Sequence, residues 1–162
     1  MVMLARIAFA ILVSAQASPF RNLSEIAHSL GFVNNYSTDR SLGKVKLAIL
    51  DNGFLDYKKE IGKTLPSTSV FFHPGIIPLS EKEERHGLIM AQLVAGLLQD
   101  KFPVELHLYQ ANGYSNFAHA VEDVVKNKID IVLYAQVWEY GGNNDSRGFI
   151  NEVVNKATSA GL

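Results

Sequence analysis

Apolar and polar positions along the chain follow two periods, one typical of strands and one typical of helices. The run 45–50 (VKLAIL), rich in residues that favour strands, precedes the turn signal Asp51-Asn52-Gly53 and predicts a strand. Positions 86–98 place apolar residues on neighbouring helical stripes and predict a helix. The same reasoning predicts further strands at 69–72, 104–109 and 129–138, and further helices at 22–30, at 115–126 with Ser115 as N-cap, and at 149–160.

Strands and helices therefore alternate through residues 44–162. This order favours a parallel sheet with helices on both faces, because a helix returns the chain between parallel strands. The apolar run 129–134 is typical of a strand buried on both faces, so we expect it in a central position. The predicted fold class is α/β, with three layers and a mainly parallel sheet.

The first residues have the pattern of an export signal. Arg6 precedes the apolar run 7–13, and Ala15-Gln16-Ala17 supplies small residues at the positions that define cleavage. That run is shorter than the roughly 20 residues needed to span a membrane. We therefore predict a signal peptide over 1–17, then an N-terminal helix and linker over 18–43. The protein is expected to be secreted or periplasmic, without membrane contact after cleavage. A buried N-terminal helix is the alternative.

Composition removes several classes of function. The 162 residues contain no cysteine, which excludes disulfides, zinc fingers, iron–sulfur clusters and Cys nucleophiles. Lys and Arg total 15 and Asp and Glu total 16, so no basic excess points to nucleic acid. Hydrophobic residues make up 48% of the chain, which is enough for one domain with a core. No metal-ligand or phosphate-loop motif occurs, so we expect no metal and no cofactor.

Two polar residues stand where parallel sheets collect their functional groups. Asp51 ends a strand and His86 begins a helix, so both are expected at the carboxyl rim of the sheet. A carboxylate held by turn amides can aim a partner, and a helix N-terminus favours a neutral, basic imidazole. Gly87 permits close approach of other backbone. The alternatives are an Asx turn at Asp51 and a solvated His86.

Two segments, KVKLAILDNG and RHGLIMAQLVAGLL, together resemble the Asp and His segments of the subtilisin-like serine proteases, the subtilase family. In that family a strand ends in Asp-[Ser/Thr]-Gly, and His-Gly-Thr-x-Val-Ala-Gly begins a long helix. The later segments VELHLYQA, SNFAHAVEDVVKNKIDIVLYAQVW and FINEVVNKATSAGL resemble the elements that follow, in the same order. The resemblance covers residues 44–162.

The resemblance implies a subtilisin-like fold and a serine-type endopeptidase that hydrolyses peptide bonds with an Asp-His-Ser triad. Asp51 would orient the imidazole, and His86 would take the proton of a serine hydroxyl and return it to the leaving amine. The resemblance also implies a peptide or protein substrate. Ala135, Gln136, Val137 and Trp138 would bind it by strand addition.

The chain departs from the family pattern at several positions. Asn52 replaces Ser or Thr and Leu88 replaces Thr, while Leu133, Ala135 and Val137 replace Asn, Ser and Gly of the substrate strand. These changes put the substrate subsites in doubt more than the Asp–His pair.

The nucleophile segment Gly-Thr-Ser-x-Ala does not occur, since Thr158-Ser159-Ala160 follows Ala157. The oxyanion Asn, expected just after Leu162, is also missing. An Asp–His pair without a nucleophile has nothing to activate. We therefore expect residues 44–162 to be the N-terminal part of the peptidase domain, incomplete at the C-terminus and inactive alone. The missing C-terminal half would be its partner.

Other interpretations stay open at this point. A truncated relic or a peptide-binding pseudoprotease would also fit the missing Ser. Asp51 as a phosphoryl acceptor is a third hypothesis, although such phosphatases carry a second Asp where this chain has Gly53. His28, His73, His107 and His119 are expected in structural or solvated roles, and His107 is expected to face away from the core because it alternates with leucines.

Overall fold

The computed structural model describes residues 28–29, 43–78, 84–98, 103–138 and 147–162. Four strands in these ranges form one sheet in which every strand pair is parallel. The strands are β1 (Val45–Asp51), β2 (Val70–His73), β3 (Val104–Gln110) and β4 (Ile131–Tyr134), in the sheet order β2-β3-β1-β4. The helices are α1 (Tyr57–Glu60), α2 (His86–Leu98), α3 (Gly113–Lys126) and α4 (Phe149–Ser159).

β1 lies in the interior of the sheet, with a paired strand on each side. Its apolar side chains are buried on both faces. It pairs with β3 from Val45 to Asp51 and with β4 from Leu47 to Leu50. Ile49 packs on one face and Leu50 on the other, and neither is exposed to solvent. Burial of such a side chain stabilises the fold by roughly 1.5–3 kcal/mol, so the strand that carries Asp51 is held from both sides.

Helices cover both faces of this sheet. On one face, α2 contributes Leu88 and Ala91 to a core shared with Ile49 and Leu108. On the opposite face, α3 and α4 contribute the buried side chains Phe117, Ala120, Val121, Val124 and Val153. The predicted three-layer α/β fold with a parallel sheet is therefore confirmed.

β4 differs from its prediction in length and position. The strand is limited to Ile131–Tyr134, and it lies at the edge of the described sheet with Ile131 50% exposed. The prediction of a central, doubly buried strand is wrong. β1, the strand that pairs with β4, ends at Asp51, and among the described residues no strand pairs with the chain beyond Tyr134.

Two helical features also differ from the prediction. The N-cap of α3 is Asn112 rather than Ser115, and the helix begins at Gly113, which adopts a positive φ of 73°. Asn112 itself makes no side-chain capping bond. α1 was not predicted, since a single helical turn is too short to show a hydrophobic period.

The N-terminal predictions fall mostly outside the described residues. The signal peptide over 1–17 lies wholly outside them. From the helix and linker predicted over 18–43, only 28–29, which are helical, and Gly43 are described. Among the described residues no helix is both long enough and apolar enough to cross a membrane.

Candidate functional site

Asp51 is the last residue of β1, and its side chain is fully buried. Its backbone carbonyl accepts a hydrogen bond from the N–H of Ala111 at 2.8 Å, which ties the end of β1 to the residue after β3. Its carboxylate Oδ1 accepts the backbone N–H of Asn52, also at 2.8 Å. The turn therefore helps to fix the orientation of this carboxylate.

His86 is the first residue of α2 and faces that carboxylate. Its Nδ1 lies 2.8 Å from Oδ2 and 3.1 Å from Oδ1 of Asp51. A carboxylate accepts hydrogen bonds, so this contact places the hydrogen of a neutral imidazole on Nδ1 and leaves the lone pair on Nε2. The His86 side chain is 48% exposed, whereas that of Asp51 is 0% exposed. The pair therefore has the geometry of a general base aimed by a buried carboxylate.

Two glycines bring the turn after Asp51 against the start of α2. A Cβ atom on Gly87 would lie 2.7 Å from the Cβ of Asp51 and 2.7 Å from Cε1 of Phe54. A Cβ atom on Gly53 would lie 2.5 Å from the carbonyl oxygen of Glu84. All three distances are too short for a real Cβ atom. The close approach expected at Gly87 is confirmed. Gly53 makes a similar close approach to the backbone just before α2.

The predicted substrate segment follows β4 at the same rim of the sheet, since Tyr134 pairs with Leu50. Val137 is 91% exposed and Ala135 is also exposed, while Gln136 and Trp138 are half-buried. In the described part of the chain no strand pairs with these four residues.

Tyr134 is a neighbour of Asp51 that the sequence reasoning missed. Its ring packs against Phe117, with centroids 4.8 Å apart. Burial raises the pKa of Tyr134 to about 12; the Trp138 indole opposes the rise and the charge of Asp51 adds to it. The phenol is therefore protonated at neutral pH and responds to the charge of Asp51. Its only signal in the sequence is its position at the end of an apolar strand.

Asn116 is a second residue that the sequence reasoning missed. It is 1% exposed, and its Oδ1 accepts the N–H of Ile77 at 2.8 Å. Its Nδ2 donates to the carbonyl of Ile77 at 2.9 Å and to Oδ1 of Asn112 at 2.9 Å. Asn116 therefore fastens the loop after β2 to α3. One asparagine within a helical pattern gives no sign of such a role.

A cavity of about 390 Å³ opens beside α1. Its walls include Phe54, Tyr57, Phe72 and Gln110. Neither Asp51 nor His86 lines it, and we assign it no part in their chemistry. No group of three or more His, Asp or Glu side chains in the described ranges could hold a metal ion.

Comparison with known proteins gives no relative. No protein-family model, no curated protein and no solved structure matches the chain. The resemblance to the subtilases therefore stays a prediction from the residues themselves.

Proposed function

We propose that residues 44–162 are the part of a subtilisin-like serine endopeptidase that carries the catalytic Asp and His. One observation supports this most strongly: the fully buried carboxylate of Asp51 lies 2.8 Å from Nδ1 of His86. A carboxylate that holds the Nδ1 hydrogen leaves Nε2 as the base for a hydroxyl nucleophile.

In the proposed reaction, Nε2 of His86 takes the proton of a serine hydroxyl while the serine oxygen attacks a peptide carbonyl. The same nitrogen then gives the proton to the leaving amine. Asp51 stabilises the imidazolium and holds the ring in position. The remaining half of the domain, our proposed partner, would supply the serine and the oxyanion donors.

The proposed substrate is an extended peptide or protein segment. Ala135 and Val137 are exposed beside the end of β4, so a peptide strand could bond to the backbone there. An exported protease would meet such substrates outside the cytoplasm, in keeping with the signal peptide proposed over 1–17.

The test uses the natural gene product, with whatever sequence follows Leu162 and any partner that co-purifies. A fluorophosphonate probe is expected to label a serine outside residues 1–162. Asp51→Asn and His86→Ala should each slow the labelling by at least about 100-fold. The control variant His119→Ala, on α3, should label normally. Cleavage of an unstructured protein substrate should follow the same order among the variants.

Two results would overturn the proposal. One is labelling that survives both Asp51→Asn and His86→Ala. The other is a natural product that neither labels nor cleaves. If that inactive product still binds extended peptides, the alternative function, a peptide-binding pseudoprotease, replaces the proposal.

A further inference from the structure

A second group of titratable side chains lies on the face of the sheet that α3 covers, opposite to α2. His73 ends β2 and His107 lies within β3. The ring of His107 stacks on Phe71 with centroids 4.9 Å apart, and that of His73 stacks on Tyr109 at 3.9 Å. His107 is only 8% exposed, so the expectation that it faces away from the core is wrong. This side of the strand also packs against a helix.

The ring nitrogens of the two histidines form a row between two carboxylates. Oδ2 of Asp123 lies 3.5 Å from Nδ1 of His73. Nε2 of His73 lies 3.0 Å from Nδ1 of His107. Nε2 of His107 lies 3.8 Å from Oε2 of Glu105 and has no hydrogen-bond partner among the described residues. We call these four residues the histidine row.

The hydrogens of the neutral row are too few for its contacts. The contact between the rings uses one N–H, and each outer ring nitrogen faces a carboxylate, at 3.5 Å for Asp123 and 3.8 Å for Glu105. Two neutral imidazoles carry one N–H each, so one contact is left with a lone pair. A single added proton supplies the missing hydrogen. A second added proton would set N–H against N–H between the rings of His73 and His107 and break that contact.

Other polar groups set the charge around the row. Asp123 Oδ2 accepts hydrogen bonds from the Tyr109 hydroxyl at 3.0 Å and from Asn127 Nδ2 at 2.8 Å. Burial lowers the pKa of both His73 and His107. The row is therefore neutral at pH 7. Among the described residues, two further charges face it: Lys46 of β1, which lowers the pKa of His107, and Lys44, whose Nζ lies 3.9 Å from Oε1 of Glu105.

We propose that His73 and His107 act as one acid-sensing unit, which binds a single shared proton between Asp123 and Glu105 and separates when a second proton binds. β2 is a four-residue edge strand that pairs only with β3 in the described sheet. The contact between the two rings is one of several side-chain contacts of β2, beside the stacking of His73 on Tyr109 and of Phe72 on Tyr57. Its loss would weaken the hold on His73 at the end of β2, while Asn116 still ties the following loop to α3.

The test is an NMR titration of the full chain labelled with ¹⁵N-histidine, from pH 7.5 downwards. The four ring nitrogens of His73 and His107 are expected to shift together and to account for one proton in total. Binding of the second proton should coincide with faster hydrogen exchange of the backbone amides of β2. Separate midpoints with a full proton on each ring, or no uptake before the protein unfolds, would overturn the proposal.

Variants at the ends of the row give an independent check. Glu105→Gln should lower the midpoint of the shared uptake by about one pH unit, because it removes one of the two carboxylates. Glu122→Gln, an exposed carboxylate on α3, is the matched control and should leave the midpoint unchanged. Equal midpoints in wild type and Glu105→Gln would count against the shared proton. This titration needs no peptidase activity, so it stands apart from the proposed function.

Discussion

His86 donates a hydrogen bond from Nδ1 to the carboxylate of Asp51 at 2.8 Å, across 35 positions of sequence. The contact depends on how closely two backbone segments approach. Gly53 and Gly87 allow the turn and the helix to touch where a Cβ atom would have no room. A change at either glycine should therefore disturb the pair without altering its chemical groups.

Gly87→Ala should destabilise the protein by about 1–3 kcal/mol, because the new methyl group would lie 2.7 Å from the Cβ of Asp51. Urea unfolding measures the loss, and the downfield Nδ1–H signal of His86 should weaken or vanish. Ile89→Ala, at a position of α2 that is 47% exposed, is the control and should cost less than about 1 kcal/mol. Equal losses in the two variants would contradict the close-packing explanation.

Asp51→Asn should move the hydrogen of neutral His86 from Nδ1 to Nε2, because the new amide can donate to Nδ1. The ¹⁵N shifts of the two ring nitrogens distinguish these tautomers. The pKa of Tyr134, which burial and the charge of Asp51 raise to about 12, should fall in the same variant. Asn52→Ala should change neither property, since the hydrogen bond from residue 52 comes from its backbone. A tautomer that does not change in Asp51→Asn would refute this assignment.

Asn116→Ala should destabilise the protein by about 1–3 kcal/mol, because it removes the hydrogen bonds that hold the partly buried backbone of Ile77. Hydrogen exchange at the Ile77 amide should accelerate more than at the sheet amides. Asn116→Asp keeps the Oδ1 acceptor and should preserve part of that protection. Ser115→Ala, an exposed change in the same helix, should be nearly neutral. If the Ile77 amide exchanges equally in all three variants, Asn116 does not hold the loop.

Acid should destabilise the protein through the histidine row. The folded-state pKa values of His73 and His107 lie below the ordinary 6.5, so the unfolded chain binds protons more readily. The contribution of the two neutral histidines to the free energy of unfolding is therefore complete above about pH 6.5, and it is lost as the pH falls below that value. Urea midpoints between pH 7.5 and 5 should fall less steeply in the double variant His73→Gln/His107→Gln. His119→Gln should follow the wild type.

The parts of the fold that the sequence predicts are those with strong local patterns. α2 spans His86–Leu98, the range over which the apolar stripes predict a helix. β1 was expected over 45–50 and ends one residue later, at Asp51. The rule that parallel strands present their functional groups at one rim was enough to place Asp51 and His86 together.

The parts that were missed depend on contacts between distant residues. The row of His73 and His107 joins two strands and a helix, and neither residue carries a local sign of the other. The prediction of a central position for β4 was wrong for a related reason. An apolar run indicates that the faces of a strand are covered, but it does not show whether another strand pairs with each edge. Asn116 forms hydrogen bonds with the backbone of Ile77, and neither segment alone predicts that contact.

The central position of β1 has a consequence for how the protein folds. Val45 pairs with Val104 and Leu47 pairs with Ile131, so both neighbours of β1 are made long after it. Parallel pairing between distant segments is slow, because large loops must close before the contacts form. During synthesis, the apolar strand that ends at Asp51 would leave the ribosome with both its edges unpaired. The newborn chain therefore exposes an unpaired apolar strand, a feature that favours aggregation, and the Asp51–His86 pair should form late.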